Sequence, residues 1–277
     1  MIVLITGCRS GFGLRAAVSA AQAGHTVYAG LRDLSTRTML DEASRGLDVH
    51  PVQLDVTRAD ERVTVVDQIV ARHGRLDALV NNAGVALGGY LEEVAEADVR
   101  KVFEVNVLAV WALTQRVLPG MRARRQGHII NISSVSGRIA MPGLGVYAGS
   151  KFALEGMSEA LRHEMAPFGV QVTLVEPGPY RTDMTTGAGR SLAASVSSPD
   201  SPYAPYSARS VELFERVSSS LGDPQDVADR IVAILGRPRS PLRHPMGVSA
   251  HVRLALRWWI PFGWWQALVG WLTRPRS

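Results

Sequence analysis

Short apolar runs alternate with stretches of helical periodicity through the first two thirds of this chain, and that alternation leaves few folds open. Residues 2–6 (IVLIT), 25–30 (HTVYAG), 48–56 (DVHPVQLDV), 76–84 (LDALVNNAG), 127–134 (GHIINISS) and 169–178 (GVQVTLVEPG) have the length and apolar character of strands. Helical patterns lie between them at 12–23, 33–45, 58–73, 96–118 and 147–166, with Gly24 and Gly74 as stop signals. Strands separated by helices pair in parallel and carry helices on both faces, so the chain reads as an α/β, doubly wound sheet. In such sheets ligands bind beyond the carboxyl ends of the strands, and the turns TGCRSGFG, NNAG, NISS and EPG all fall there. At 277 residues, 46% hydrophobic and 20% charged, the chain suits a single domain over 1–277 with a full core.

The first of these turns places Gly7, Gly11 and Gly13 between a strand and a helix that opens around Phe12. Glycines let the backbone approach a pyrophosphate closely, and the helix N-terminus offers it free N–H groups and positive dipole. Arg9 and Ser10 also lie inside the loop. The end of the second strand then selects the dinucleotide. A carboxylate there takes the ribose 2′-hydroxyl, and a basic group takes a 2′-phosphate. The residues are Leu31, Arg32 and Asp33. Arg32 can fork two N–H groups onto a phosphate, and Asp33 is expected to cap the segment that follows. NADP(H) is therefore the predicted cofactor.

Tyr147 and Lys151 are four residues apart in GVYAGSK, on one face of a predicted helix. Only Lys101 and Lys151 are lysines among 30 basic residues. A free tyrosine titrates near about 10, too high for ready proton exchange at neutral pH, and a neighbouring cation lowers that value. A compact ammonium suits this task better than a broad guanidinium.

These motifs occur in one order: TGxxxGxG at 6–13, NNAG at 81–84, Asn106, Ser134, YxxxK at 147–151 and PG at 177–178. The set resembles the short-chain dehydrogenase/reductase family over roughly residues 1–185, and in general layout beyond. The phrases TGCRSGFG and VEPGPYRTDM are similar to its branch of retinol and 17β-hydroxysteroid dehydrogenases, shared by many bacterial relatives. The resemblance implies a single Rossmann-type sheet and an oxidoreductase that interconverts a ketone or aldehyde with an alcohol. It makes Tyr147 the general acid or base, with Ser134 holding the carbonyl oxygen. Lys151 lowers the Tyr147 pKa and binds the nicotinamide ribose, and Asn106 anchors a water-based proton relay. Asp55, with Val56 beside it, contacts adenine, and Asn82, Ala83 and Gly84 line the adenosine ribose. Pro177, Gly178 and Thr182 hold the nicotinamide. The ribose-selecting acid falls on Leu31, and Arg32 takes the usual NADP arginine position. Arg9 stands one place before the usual site of the loop's basic residue. A homodimer or homotetramer is the expected assembly.

Composition removes several other classes. The single cysteine, Cys8, excludes an internal disulfide, and the seven histidines show no paired metal spacing, so no metal is expected. The net charge of +5 is spread over arginines, without the concentrated run a nucleic-acid partner needs. The N-terminal MIVLITG has no basic leader region, so a cytoplasmic location is the default expectation. Residues 185–210 are rich in Ser, Ala, Gly and Pro, and the segment around them, 182–222, reads as a solvated loop or a substrate lid. The tail at 249–277 reads as helical and holds five of the six tryptophans. Its 16 uncharged residues between Arg257 and Arg274 would span about 24 Å as a helix, short of a ~30 Å hydrocarbon core. It could wall the substrate pocket, lie at a membrane interface as a peripheral contact, or meet another subunit. Two rival functions share the fold: a non-catalytic NADP-binding sensor, and an epimerase or dehydratase using the same residues.

Overall fold

A computed structural model of the chain describes residues 1–186, 190–193, 196, 198–218 and 221–275. The order is β1 (Ile2–Thr6), α1 (Gly11–Gln22), β2 (Thr26–Leu31), α2 (Thr38–Ala43), β3 (Val49–Gln53), α3 (Ala59–His73), β4 (Ala78–Asn81), β5 (Ala86–Gly88), α4 (Glu96–Phe103), α5 (Ala109–Ala123), β6 (Gly127–Ile132) and α6 (Gly145–Met165). It continues with β7 (Val170–Pro177), α7 (Asp183–Thr186), β8 (Arg190–Leu192), α8 (Ala204–Ser218), α9 (Pro224–Leu235), β9 (Arg243–Met246), α10 (Val248–Trp259) and α11 (Phe262–Thr273).

Seven strands form one parallel sheet in the order β3-β2-β1-β4-β6-β7-β9. Alternation along β1 sorts the two layers. Val3 and Ile5 face a core built with Ala16, Ala17 and Ala20 of α1 and Val227 and Ile231 of α9. Leu4 faces the opposite core, with Val65 and Ile69 of α3 and Leu113 and Val117 of α5. Strands buried on both faces read as continuous apolar runs, which is why IVLIT was legible as one. Prolines fall only where the sheet tolerates a missing donor. Pro51 is in edge strand β3, Pro245 is in edge strand β9, and Pro177 ends β7.

The strand order reverses between β1 and β4. The chain first builds outward through β2 and β3, then restarts on the other side of β1. Loops leaving the carboxyl ends of β1 and β4 therefore diverge and leave a crevice, the usual ligand position in an open α/β sheet.

Several elements differ from the sequence expectation. The pattern at 96–118 is helical without a break through Ala123, but it contains a π-helical turn at Glu104–Leu108 between α4 and α5. The segment at 33–45 shrinks to a 3-10 turn at Leu34–Thr36 followed by α2. Strands β5, β8 and β9 were not read from the sequence; β5 and β8 pair with each other in parallel. The tail is helical, as expected, and forms two helices interrupted at Pro261. Part of the expected lid, at 187–189, 194–195, 197 and 219–220, lies outside the described residues.

Candidate active site

The loop after β1 is held by hydrogen bonds that only small residues permit. Gly7 has φ +73°, and a Cβ on it would lie 2.9 Å from the Ala83 Cα. A Cβ on Gly13 would lie 2.3 Å from the Gly7 carbonyl oxygen. Thr6 and Asn82 tie the two diverging loops together. The Asn82 side-chain amide donates to the Thr6 carbonyl at 2.8 Å and to that of Gly7 at 3.1 Å. The Thr6 hydroxyl accepts from the Asn82 and Ala83 backbone N–H groups at 3.0 and 2.9 Å. The N-cap residue of α1, Ser10, makes no side-chain cap bond, and the helix has no acid in its first turn. Its leading N–H groups thus remain available to an anion, which is the fit a dinucleotide pyrophosphate requires.

Ser10 instead donates to Asp183 Oδ2 at 2.7 Å, and Arg9 pairs with the same oxygen at 3.2 Å. Thr182 lies against the loop too, its methyl 3.4 Å from where a Cβ on Gly11 would stand. Asp183 carried no sequence signal, because nothing local connects it to a loop 173 residues earlier.

At the end of β2, Leu31 is fully buried and Arg32 is exposed. Asp33 caps the 3-10 turn, accepting from the Ser35 N–H at 2.9 Å, and hydrogen bonds from the Ser35 side chain and from its N–H hold the carboxyl below the usual range. Asp55 sits after β3, where one carboxylate oxygen accepts from the Thr57 N–H and hydroxyl at 2.9 and 2.7 Å. Val56 beside it is buried in the core under α3.

The remaining candidates converge at the ends of β4, β6 and β7. Ser134 follows β6; its hydroxyl accepts from the Ser136 N–H at 3.1 Å and reaches toward the Pro177 carbonyl at 3.5 Å. Tyr147 and Lys151 lie on the first turns of α6. Burial pushes the Tyr147 phenol up, and a hydrogen bond with Ser134 pulls it part of the way back. The sequence reading had assigned that opposing pull to Lys151. The lysine Nζ lies 5.8 Å from the Tyr147 ring centroid and donates to the Ile132 carbonyl at 2.8 Å. Burial brings the lysine down to about 8, against the attraction of Glu155. A Cβ on Gly84 would approach Nζ to 3.8 Å and the Asn106 side-chain oxygen to 3.3 Å.

Asn106 occupies the π turn and is buried. It brackets Val85, accepting from its N–H at 2.9 Å and donating to its carbonyl at 2.8 Å. It also donates to the Ser150 hydroxyl at 3.0 Å, and Ser150 in turn donates to the Tyr147 carbonyl at 2.7 Å. Ser150 was missed by motif reading because it lies between the two motif residues and acts on the backbone carbonyl of Tyr147. A second buried polar chain, Thr114–Asn81–Asn131–Ser158, cross-links α5, β4, β6 and α6 beneath the site. The base of α10 closes the far side. Ser249 and Ala250 lie beside Gly178, and Ala250, Leu254 and Trp265 pack on Val135, Ile139 and Met141, just after Ser134.

A glycine-lined helix N-terminus at a switch point, beside a converging serine, tyrosine and lysine, defines a nucleotide-binding α/β oxidoreductase site. Residues 1–192 match the short chain dehydrogenase family. The chain is 36% identical to 3-ketodihydrosphingosine reductase of Bacteroides thetaiotaomicron, over 94% of this chain and 93% of that one. It is 38% identical to retinol dehydrogenase 8 of Bos taurus, over 94% and 86% respectively. A short-chain dehydrogenase from Streptomyces avermitilis superposes with a TM-score of 0.82 at 34% identity, covering 98% of this chain and 94% of that one. The chain belongs to the short-chain dehydrogenase family, whose members are oxidoreductases that bind a nicotinamide cofactor.

Proposed function

We propose that the protein is an NADP(H)-dependent oxidoreductase that interconverts a ketone or aldehyde with an alcohol on a bulky, mostly hydrocarbon substrate. The observation that carries the chemistry is the meeting of Ser134, Tyr147 and Lys151 beside the Gly84 turn. When bound, the nicotinamide supplies or takes the hydride at the carbonyl carbon. Ser134 holds the carbonyl oxygen, and Tyr147 gives that oxygen a proton in reduction and takes it back in oxidation. Lys151 keeps positive charge near the phenolate that is left. The Asn106–Ser150–Tyr147 chain fixes the first turn of α6, so the hydroxyl stands at a set distance from Ser134.

The cofactor assignment rests on the end of β2, where the side chain at the selecting position is a buried leucine and the next is an exposed arginine. Asp33 is committed to its own turn. The substrate class rests on the apolar wall of Ile139, Met141, Leu254 and Trp265 beyond Ser134. It agrees with relatives named for a ketodihydrosphingosine and for retinol.

Purified protein assayed with NADPH and NADH against a panel of long-chain and polycyclic carbonyls tests both parts. NADPH is expected to be preferred. Arg32→Ala should raise its KM roughly 10- to 150-fold while leaving NADH nearly unchanged, the worth of one charge-assisted phosphate fork. Equal use of the two cofactors by the wild type would overturn the assignment of Arg32.

A further inference from the structure

The two tail helices bury one face each and leave a second apolar face in water. On α10, Ala250 and Leu254 pack inward, while Val248, Val252, Leu256 and Trp259 form a stripe on the opposite side. Val248 and Trp259 are each 81% exposed. On α11, Trp265 packs inward, and Trp264 and Trp271, seven residues apart, are 75% and 70% exposed. A helix whose apolar residues point both ways has a second partner to satisfy.

Charge says which one. After Asp229 the chain contains no further aspartate or glutamate. Arg253 and Arg274 are exposed on these helices, and Arg257 stacks 5.1 Å from the Phe262 ring. A second copy docking through the same face would set arginine against arginine with no carboxylate to pair them. An anionic lipid surface supplies the missing negative charge, and tryptophan rings settle at headgroup depth. Among the described residues no helix is long and apolar enough to cross a membrane, so the contact lies along the surface rather than through it.

We propose that α10 and α11 dock the protein on the headgroup region of an anionic bilayer, with Val252, Leu256, Trp259, Trp264 and Trp271 entering the interface. The inner faces of the same helices line the apolar wall beyond Ser134, so docking brings the lipid phase to the substrate side of the site.

The test uses the full chain with vesicles of phosphatidylcholine alone and of phosphatidylcholine with phosphatidylglycerol in equal parts. Three arginines predict roughly a hundredfold preference for the anionic vesicles at low salt, lost as sodium chloride rises. The triple variant Trp259→Ala, Trp264→Ala, Trp271→Ala should lose vesicle binding by roughly tenfold or more while keeping NADPH affinity and its melting profile. Arg253→Gln with Arg274→Gln should cut the anionic preference to about fivefold, the share of the one arginine left, and leave residual binding. Tail tryptophan emission should move to the blue on anionic vesicles and be quenched by brominated lipid. No vesicle binding by the wild type, or equal binding by the wild type and the triple variant, would overturn the proposal. So would a wild type that ignores vesicles but whose particle mass, by light scattering, falls in the triple variant; that result assigns the face to a second copy.

Discussion

Lys151 shows why one position in an arginine-rich chain is a lysine. Its Nζ fits between the Ile132 carbonyl and the Gly84 turn, where a planar guanidinium would meet the backbone. Burial brings it down to about 8. The ammonium form is present below that pH and lost above it, so support for the phenolate falls away as pH rises. The alkaline limb of kcat/KM is accordingly expected near pH 8, and a rate that stays flat to about pH 10, the range of an unperturbed lysine, would show that the charge on Lys151 is not required. Tyr147→Phe keeps the ring and removes the proton. Turnover should drop roughly 100- to 10,000-fold, the usual scale of a lost general acid, while NADPH binding by fluorescence titration stays unchanged. Activity within about tenfold of the wild type would contradict the role given to Tyr147. The ordered set of motifs around them, rather than their spacing alone, made both residues legible. Ser150 was not, because its part is to bond the Tyr147 carbonyl, and no side-chain pattern announces a backbone partner.

Elements were legible where burial repeats along the chain and illegible where one long-range contact decides. Strand β1 read correctly because both its faces are covered. The π turn at Glu104–Leu108 did not, since the apolar spacing of a helix hardly changes when one turn widens by a residue. What that widening does is structural: it turns Asn106 inward to bracket Val85. The glycine loop sits between these cases. Its glycines were read as room for a ligand, yet Gly13 is small because the Gly7 carbonyl and the Asn82 amide already crowd it, at 2.3 and 2.5 Å from an added Cβ. Gly13→Ala should therefore destabilise the protein by about 1–3 kcal/mol through overpacking, before any cofactor is added. Gly156→Ala on α6, where a Cβ would meet nothing within 4 Å, should stabilise it by about 0.5–1 kcal/mol. Urea unfolding of both variants reads the contrast, and equal effects would show that crowding at Gly13 is relieved by loop movement.

Across the whole molecule, the sheet could be read as far as β7, and its closing edge could not. Strand β9 is short, carries Pro245, and is placed by Arg243, which bonds Glu155 at 2.9 Å and Glu159 at 2.6 Å on α6. Arg243 also lies 3.4 Å from the fully buried Glu176 of β7. Burial and the neighbouring Glu155 raise Glu176 to about 7, so this edge is held by charges far apart in sequence rather than by an apolar pattern. The bridge from Ser10 and Arg9 to Asp183 has a similar reach and a different consequence. It sets a carboxylate beside the end of α1 where the pyrophosphate of the proposed dinucleotide would lie. We expect cofactor arrival to break that bridge before substrate binds. The signature expected of the proposed NADP(H) enzyme is a compulsory order, with NADPH first and NADP⁺ last to leave, visible as competitive product inhibition between the two nucleotides and mixed inhibition elsewhere. Asp183→Asn should speed NADPH association in stopped-flow measurements and blur that order toward random addition. If the association rate is unchanged, the carboxylate leaves the helix end before the nucleotide arrives, and the bridge has no part in sequencing the reaction.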